Sequence, residues 1–254
     1  MVLIIIIEVT CAGMRTMGRT VRAPRDAGVG AVRSVKDIMA EQYFAAEPTS
    51  KDVRRTMRVA LRGREADVET SNGVFSGSRV DLGTSVLLRQ APEPPETGDL
   101  LDLGCGWGPV SLALAAESPE ARVWAVDVNE RALELTASNA RRNGAANVHV
   151  TATDEQGAPL ADQPLDVCEA MPDDLTFDAI WSNPPIRIGK EALHTLLMAW
   201  LPRLKEGGAA YLVVQRNLGS DSLIPWLADA LGEGYAVGKY ASSKGFRIIE
   251  VLRK

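Results

Sequence analysis

Cysteine is scarce in this 254-residue chain, and the three present, Cys11, Cys105 and Cys168, share no C-x-x-C spacing. That argues against a disulfide framework or a thiolate zinc site and for a reducing compartment. Only two histidines occur, His149 and His194, and neither has a second His or Cys beside it, so a metal is not expected. Apolar runs are short. Val2–Ile7 is ended by Glu8 and follows no basic segment, which suits neither a membrane span nor a signal peptide. Positive charge is not in excess either, since the formal net charge is −5. A chain held to nucleic acid by charge alone would be basic, so any RNA contact must come from local patches. These shortages point to a cytoplasmic protein without metal or membrane partner.

Hydrophobic residues make up 46% and charged residues 24%, enough to bury a core in one α/β domain with an appendage. Residues 1–38 differ from the rest. Arg15, Arg19, Arg22, Arg25, Arg33 and Lys36 fall there without a period. The segment reads as a disordered tail or an extension upstream of a start near Met39, with a basic RNA-binding arm as the functional alternative. Residues 39–95 read as a small β-rich N-terminal module, with alternation through Val59–Thr70, a turn at Asn72-Gly73 and a helical stretch toward Leu88. Its Lys51, Arg54, Arg55, Arg58, Arg62 and Arg64 form either a solvated face or an RNA-contact face. Pro92-Glu93-Pro94-Pro95 links it to the main domain at 96–254.

That domain is organised around Leu100-Leu101-Asp102-Leu103-Gly104-Cys105-Gly106-Trp107-Gly108-Pro109. An apolar strand ends in an acid, glycines let backbone N–H groups approach a ligand, and Pro109 suits the first turn of a helix. A dinucleotide fingerprint requires G-x-G-x-x-G. Here the third glycine comes one residue early, and Asp102 brings a carboxylate to the turn, which favours a cationic ligand over a diphosphate. The loop resembles the S-adenosylmethionine loop of class I methyltransferases.

Strand and helix alternate from there on, predicting a doubly wound Rossmann-like parallel sheet with a C-terminal antiparallel pair at Tyr235–Tyr240 and Phe246–Leu252. Asp127 ends the second strand about 20 residues past the loop, the offset at which such folds deliver a carboxylate to ribose hydroxyls. Asp154 follows the third strand, where it can meet an adenine amine. Asn183-Pro184-Pro185 follows the fourth, Phe177–Ser182. An amide oxygen and the Pro184 carbonyl can accept both hydrogens of an sp² amine and turn its lone pair toward an electrophilic methyl, while two prolines stiffen the backbone. Four polar residues at four strand ends suit ligand binding, since ligands of such sheets lie at those ends.

Gly73-Val74-Phe75-Ser76, Asp81-Leu82-Gly83, the loop, Val126–Ala132 and Ser182–Lys190 together resemble the small-domain methyltransferases related to the ribosomal small-subunit RNA guanine-N2 methyltransferases. The resemblance implies S-adenosylmethionine as cofactor, held by Asp102, Gly104, Gly106, Gly108, Asp127, Val128, Asp154 and Asn183. It implies an exocyclic guanine amine as acceptor, with Asn183 and Pro184 catalytic and Pro185, Ile186, Arg187 and Lys190 facing the substrate. The implied partner is ribosomal RNA or the small subunit, and the protein is expected to be a monomer. Two features depart from the pattern. Ile186 stands where many amine methyltransferases have an aromatic, and the larger members carry a second, degenerate domain where this chain has only the module at 41–90. A protein glutamine N-methyltransferase and a catalytically silent RNA-binding or assembly factor are the alternative readings.

Overall fold

The computed structural model describes residues 50–76 and 79–254. The readings made for 1–38 and for the first residues of the β-rich module lie outside the described residues. A hairpin comes first, β1 (Arg55–Leu61) and β2 (Arg64–Thr70), then helix α1 (Leu82–Gln90). Strands β3 (Thr97–Leu103), β4 (Glu120–Asp127), β5 (Val148–Ala152), β6 (Phe177–Ser182) and β7 (Leu204–Gln215) follow, with helices α2 (Pro109–Glu117), α3 (Glu130–Arg142) and α4 (Lys190–Trp200). Helix α5 (Ser220–Leu231) and strands β8 (Tyr235–Ser243) and β9 (Phe246–Arg253) complete the order.

Seven strands form one sheet in the order β5-β4-β3-β6-β7-β9-β8. Pairing is parallel from β5 to β7 and antiparallel where β9 joins β7 and β8. The doubly wound α/β fold expected from strand–helix alternation is therefore present, and the C-terminal pair extends the same sheet. Both faces are covered, which is why the central strands carry apolar residues on both sides, as in Leu100-Leu101 of β3 and Ala179-Ile180-Trp181 of β6. Leu100, Val123, Ala179 and Trp181 pack on one face with α1, α2 and α3, through Leu87, Leu114 and Leu135. Leu101, Val126, Ile180 and Leu212 pack on the other with α4 and α5, through Leu197, Trp200 and Leu227. Helix α4 stops at Trp200 rather than at the Leu204 that apolar spacing suggests. Pro202 explains this, because it has no N–H to donate to the carbonyl four residues back, and Leu201–Arg203 tightens into a 3-10 turn while Leu201 itself stays in helical geometry.

The hairpin turns at Arg62-Gly63, with φ of 47° and 83°, the left-handed pair that a two-residue turn requires. Arg62 then acts as a clamp. Its guanidinium donates to the carbonyls of Leu88 (2.6 Å) and Ala91 (3.0 Å) at the end of α1, and to Glu117 (2.7 Å) at the end of α2. Helix C-termini favour a cation there. Strand β2 runs along α3 and is read by two asparagines one turn apart. Asn139 accepts from the Glu69 N–H (2.7 Å) and donates to the Glu69 carbonyl (2.9 Å) and the Trp107 carbonyl (2.8 Å). Asn143 accepts from the Asp67 N–H (3.1 Å) and donates to its carbonyl (3.0 Å). An otherwise open strand edge is thereby paired.

Register positions the site. Asp102 lies level with Ala125 of β4 and Trp181 of β6, and Leu103 with Ser182. The Ser182 hydroxyl donates to the Leu103 carbonyl across this junction (2.7 Å). Because Asn139 is fully buried and serves three backbone groups, Asn139→Ala should lower stability by about 2–3 kcal/mol in urea unfolding. A loss under about 0.5 kcal/mol would show that the hairpin is held by other contacts.

Candidate active site

A cavity of about 560 Å³ opens at the carboxyl ends of β3, β4, β5 and β6, within the size range of small-molecule sites. Of the residues singled out from sequence, Asp102, Gly104, Gly106, Asp127, Val128, Asp154, Asn183, Pro184, Pro185, Ile186 and Arg187 line it. Gly108 and Lys190 do not. Gly108 serves packing instead: its φ is 89°, and a Cβ there would stand 3.0 Å from the Thr136 hydroxyl on α3.

The glycine loop is tied down on both sides. The N–H groups of Gly104 and Cys105 donate to the Val126 carbonyl (2.9 and 3.0 Å). From α3, the Thr136 hydroxyl donates to the Gly106 carbonyl (3.0 Å), and Asn139 holds the Trp107 carbonyl. Gly104 and Gly106 adopt φ of 79° and 58°, which brings backbone rather than side chain to the cavity wall.

Two carboxylates sit beneath this loop. Asp102, 1% exposed, accepts from the N–H (2.8 Å) and hydroxyl (2.6 Å) of Ser111, both on Oδ2. Among the described residues its Oδ1 accepts no hydrogen bond. Burial pushes the Asp102 carboxyl up to about 7, against the lowering effect of the Ser111 bonds, and neighbouring Asp127 adds to the rise. Asp127 accepts from the N–H groups of Gly106 (2.9 Å) on Oδ2 and of Asn129 (3.0 Å) on Oδ1. Burial raises its carboxyl as well, against backbone contacts from Asn129, Gly106 and Val128. Buried Asp102 and half-buried Asp127, both with raised affinity for protons, create a demand for positive charge, which a cationic ligand can meet. Asp154 folds back on its own loop, Oδ1 accepting from the N–H groups of Gln156 (2.9 Å) and Ala158 (2.8 Å).

The Asn183 amide is held from α1. Its Nδ2 donates to Asp81 Oδ2 (3.0 Å) and Thr84 Oγ1 (3.0 Å). Oδ1 is thereby left as an acceptor. The next carbonyl, of Pro184, accepts the Ile186 N–H (2.8 Å) around Pro185, whose φ of −74° and ψ of 71° make an inverse γ-turn, and it keeps a second lone pair. Two adjacent acceptors can bind both hydrogens of a planar amine. Ile186 is half-buried against the α4 side of the core, and Arg187 is exposed at the rim.

Asp81, Thr84, Phe75 and Phe246 also line the cavity; Asp81 and Phe75 fall in the motifs that carry the resemblance, but none of the four was given a site role from sequence. Asp81 ahead of Gly83-Thr84 does carry a local signal, that of a helix N-cap. Nothing local links it to Asn183, which lies 102 residues away. Among the described residues no group of His, Cys, Asp and Glu is arranged to hold a metal ion, and no helix is long and apolar enough to cross a membrane.

Comparison with known proteins gives a consistent picture. Residues 65–250 match the methyltransferase small domain family. The chain is 34% identical over 215 residues to the uncharacterized protein YbxB of Bacillus subtilis (strain 168), covering 85% of this chain and 100% of that one. It is 32% identical over 155 residues to ribosomal RNA small subunit methyltransferase C of Salmonella choleraesuis (strain SC-B67), covering 59% of this chain and 41% of that protein. The chain thus spans less than half the length of that relative. Among solved structures it resembles the T. thermophilus 16S rRNA N2 G1207 methyltransferase in complex with AdoMet and guanosine, with a TM-score of 0.61 at 24% identity, over 82% of this chain and 52% of that one. At that identity the likeness is one of fold.

The raised Asp102 carboxyl has a signed consequence for stability. Its proton is held more tightly folded than unfolded, so this contribution is fully present below about pH 4 and is lost as pH rises through about 7. Asp102→Asn removes that loss. Between about pH 5 and 7 the variant should gain on wild type by roughly 1.4 kcal/mol per pH unit in chemical unfolding without ligand. Parallel pH profiles would show that Asp102 keeps an ordinary carboxylate affinity for protons.

Proposed function

The chain belongs to the methyltransferase small domain family, whose cofactor is S-adenosylmethionine, and within it we propose that the acceptor is the exocyclic 2-amino group of guanine in small-subunit ribosomal RNA. The observation that carries this reading is the fixed Asn183 amide, with Nδ2 committed to Asp81 and Thr84 and Oδ1 left as an acceptor one residue ahead of the Pro184 carbonyl. An acceptor-only pair complements an NH₂ group.

The cofactor fits the residues present. Bound here, S-adenosylmethionine supplies a methyl group made electrophilic by its sulfonium. Asp102 and Asp127 provide the negative environment for a cationic ligand in a cavity whose other walls are largely apolar. Each Asp127 oxygen accepts one backbone N–H and keeps capacity for a hydroxyl, which suits the ribose role, with Gly106 and Asn129 holding the carboxylate still. Asp154 Oδ2 and Val128 are assigned to the adenine end. Asn183 Oδ1 and the Pro184 carbonyl would orient the neutral acceptor amine toward the methyl group; as the N–C bond forms the C–S bond would break, the sulfur leaving as the neutral thioether, and the methylated nitrogen would then release its extra proton to water. The contribution of this pair is orientation.

A glutamine amide offers the same two hydrogens. Three features favour RNA. The curated relatives that match at about 30% identity include ribosomal RNA small subunit methyltransferases from several organisms. Phe75 and Phe246 add aromatic surface to a cavity in which Ile186 has none. Arg187 and Lys190 are exposed just past the motif, suited to a passing phosphate backbone.

Asn183→Ala should leave the dissociation constant for S-adenosylmethionine nearly unchanged in calorimetry, while kcat for methyl transfer to small-subunit ribosomal RNA falls about 100-fold or more. A normal kcat would remove Asn183 from the chemistry. Reversing the charge of Arg187 and Lys190 should raise KM for RNA and flatten its salt dependence. An unaltered salt slope would place the RNA elsewhere. Because cation binding requires ionised acids, cofactor affinity should climb with pH up to about 7 and level off above it. Affinity independent of pH over that range would separate Asp102 from the cofactor.

A further inference from the structure

An asparagine amide has two orientations that differ only by exchange of oxygen and nitrogen, and only one presents an acceptor to an incoming amine. In the other, Nδ2 would meet the amine donor against donor. What selects between them lies on α1. Asp81 is the N-cap of that helix, its Oδ2 accepting from the N–H groups of Gly83 (2.7 Å) and Thr84 (3.3 Å). The same oxygen accepts from Asn183 Nδ2, and the Thr84 hydroxyl oxygen, on a residue only 5% exposed, accepts the second Asn183 proton. An ionised carboxylate has nothing to donate, so an amide oxygen turned toward Asp81 would face another acceptor.

The approach of α1 to Asn183 is close. A Cβ at position 83 would stand 2.9 Å from Asp81 Oδ2, 3.1 Å from Phe246 Cε1 and 3.2 Å from Asn183 Oδ1. Glycine there leaves room for the capping carboxylate and the amide to meet.

We propose that Asp81 and Thr84 are positioning residues for methyl transfer, locking the Asn183 amide with Oδ1 toward the acceptor amine. The inference rests on the amine-holding role of Asn183 proposed above. It makes the segment ahead of the sheet a working part of the site, through a helix cap that also fixes a reactive side chain.

The test uses the full chain with S-adenosylmethionine and transcribed small-subunit ribosomal RNA. Thr84→Val removes one acceptor at constant shape, and Asp81→Ser keeps an N-cap residue but withdraws the carboxylate from Asn183. Each should lower kcat about 10- to 100-fold, with the cofactor dissociation constant within about twofold of wild type. Thr84→Ser should restore kcat. Added to Asn183→Ala, Thr84→Val should cost nothing further, since it acts through that amide. A readout that needs no substrate is exchange of the Asn183 side-chain amide protons by NMR, which should quicken about tenfold in Thr84→Val.

Unchanged amide exchange in Thr84→Val would overturn the lock. So would a normal kcat in Thr84→Val and Asp81→Ser while Asn183→Ala is impaired, or losses that multiply in the double variant. Those results leave the amine-holding reading standing. A normal kcat in Asn183→Ala would sink that reading and the positioning role with it.

Discussion

The crossovers that leave β3 and β6 part to opposite faces of the sheet, and the site depends on that parting. From β3 the chain enters α2, packed on the face with α1 and α3. From β6 it enters α4, packed on the other. Two adjacent parallel strands whose exits diverge leave a crevice at their carboxyl ends. The glycine loop forms one wall and Asn183-Pro184-Pro185 the other, with the Ser182–Leu103 hydrogen bond pinning the strands where they separate.

What fills the crevice is decided by electrostatics. Tying the loop to β4 and α3 through its own backbone leaves Asp102 buried and Asp127 half-buried, each with hydrogen-bond donors but, among the described residues, no cationic partner. Burial raises both carboxyls, so the unliganded site is held in a state that a positive ligand relieves. On the opposite wall the polar group is neutral and fixed, its amide protons consumed by α1. A charged half and an acceptor-only half are thus built from different elements and meet over one cavity, the first proposed for the cofactor and the second for the amine. The hairpin supports both, since Asn139 joins β2 to the glycine loop while Arg62 braces α1 against α2.

The sequence disclosed the parts of this arrangement that are local. Phe177–Ser182 forms the strand that its apolar run indicates, and acids or amides at four strand ends gather at one cavity because every parallel strand ends on the same side. Long-range polar contacts were not legible. Nothing in the local spacing of Asn139 and Asn143 marks them as partners of the edge of β2. Asp81 and Thr84 read as the start of a helix, and their contact with Asn183 depends on the packing of α1 beside β7 and β9. Strand β7 begins at Leu204, although Lys205-Glu206-Gly207-Gly208 carries no apolar signal, and Gly207, with φ of 76°, falls where the register with β6 shifts between Phe177 and Ala179. Gly108 belongs to the same spacing as Gly104 and Gly106, and only the closeness of Thr136 shows that its task is helix packing.

The central claim is that the fixed acceptors at Asn183 and Pro184 select an exocyclic guanine amine in RNA. Its most direct test is to incubate the protein with S-adenosylmethionine carrying a deuterated methyl group and small-subunit ribosomal RNA, digest the RNA to nucleosides and identify the labelled product by mass spectrometry. The account predicts label in N2-methylguanosine. Label in another nucleoside, or in a glutamine-bearing protein offered in the same reaction while the RNA stays unlabelled, would contradict it.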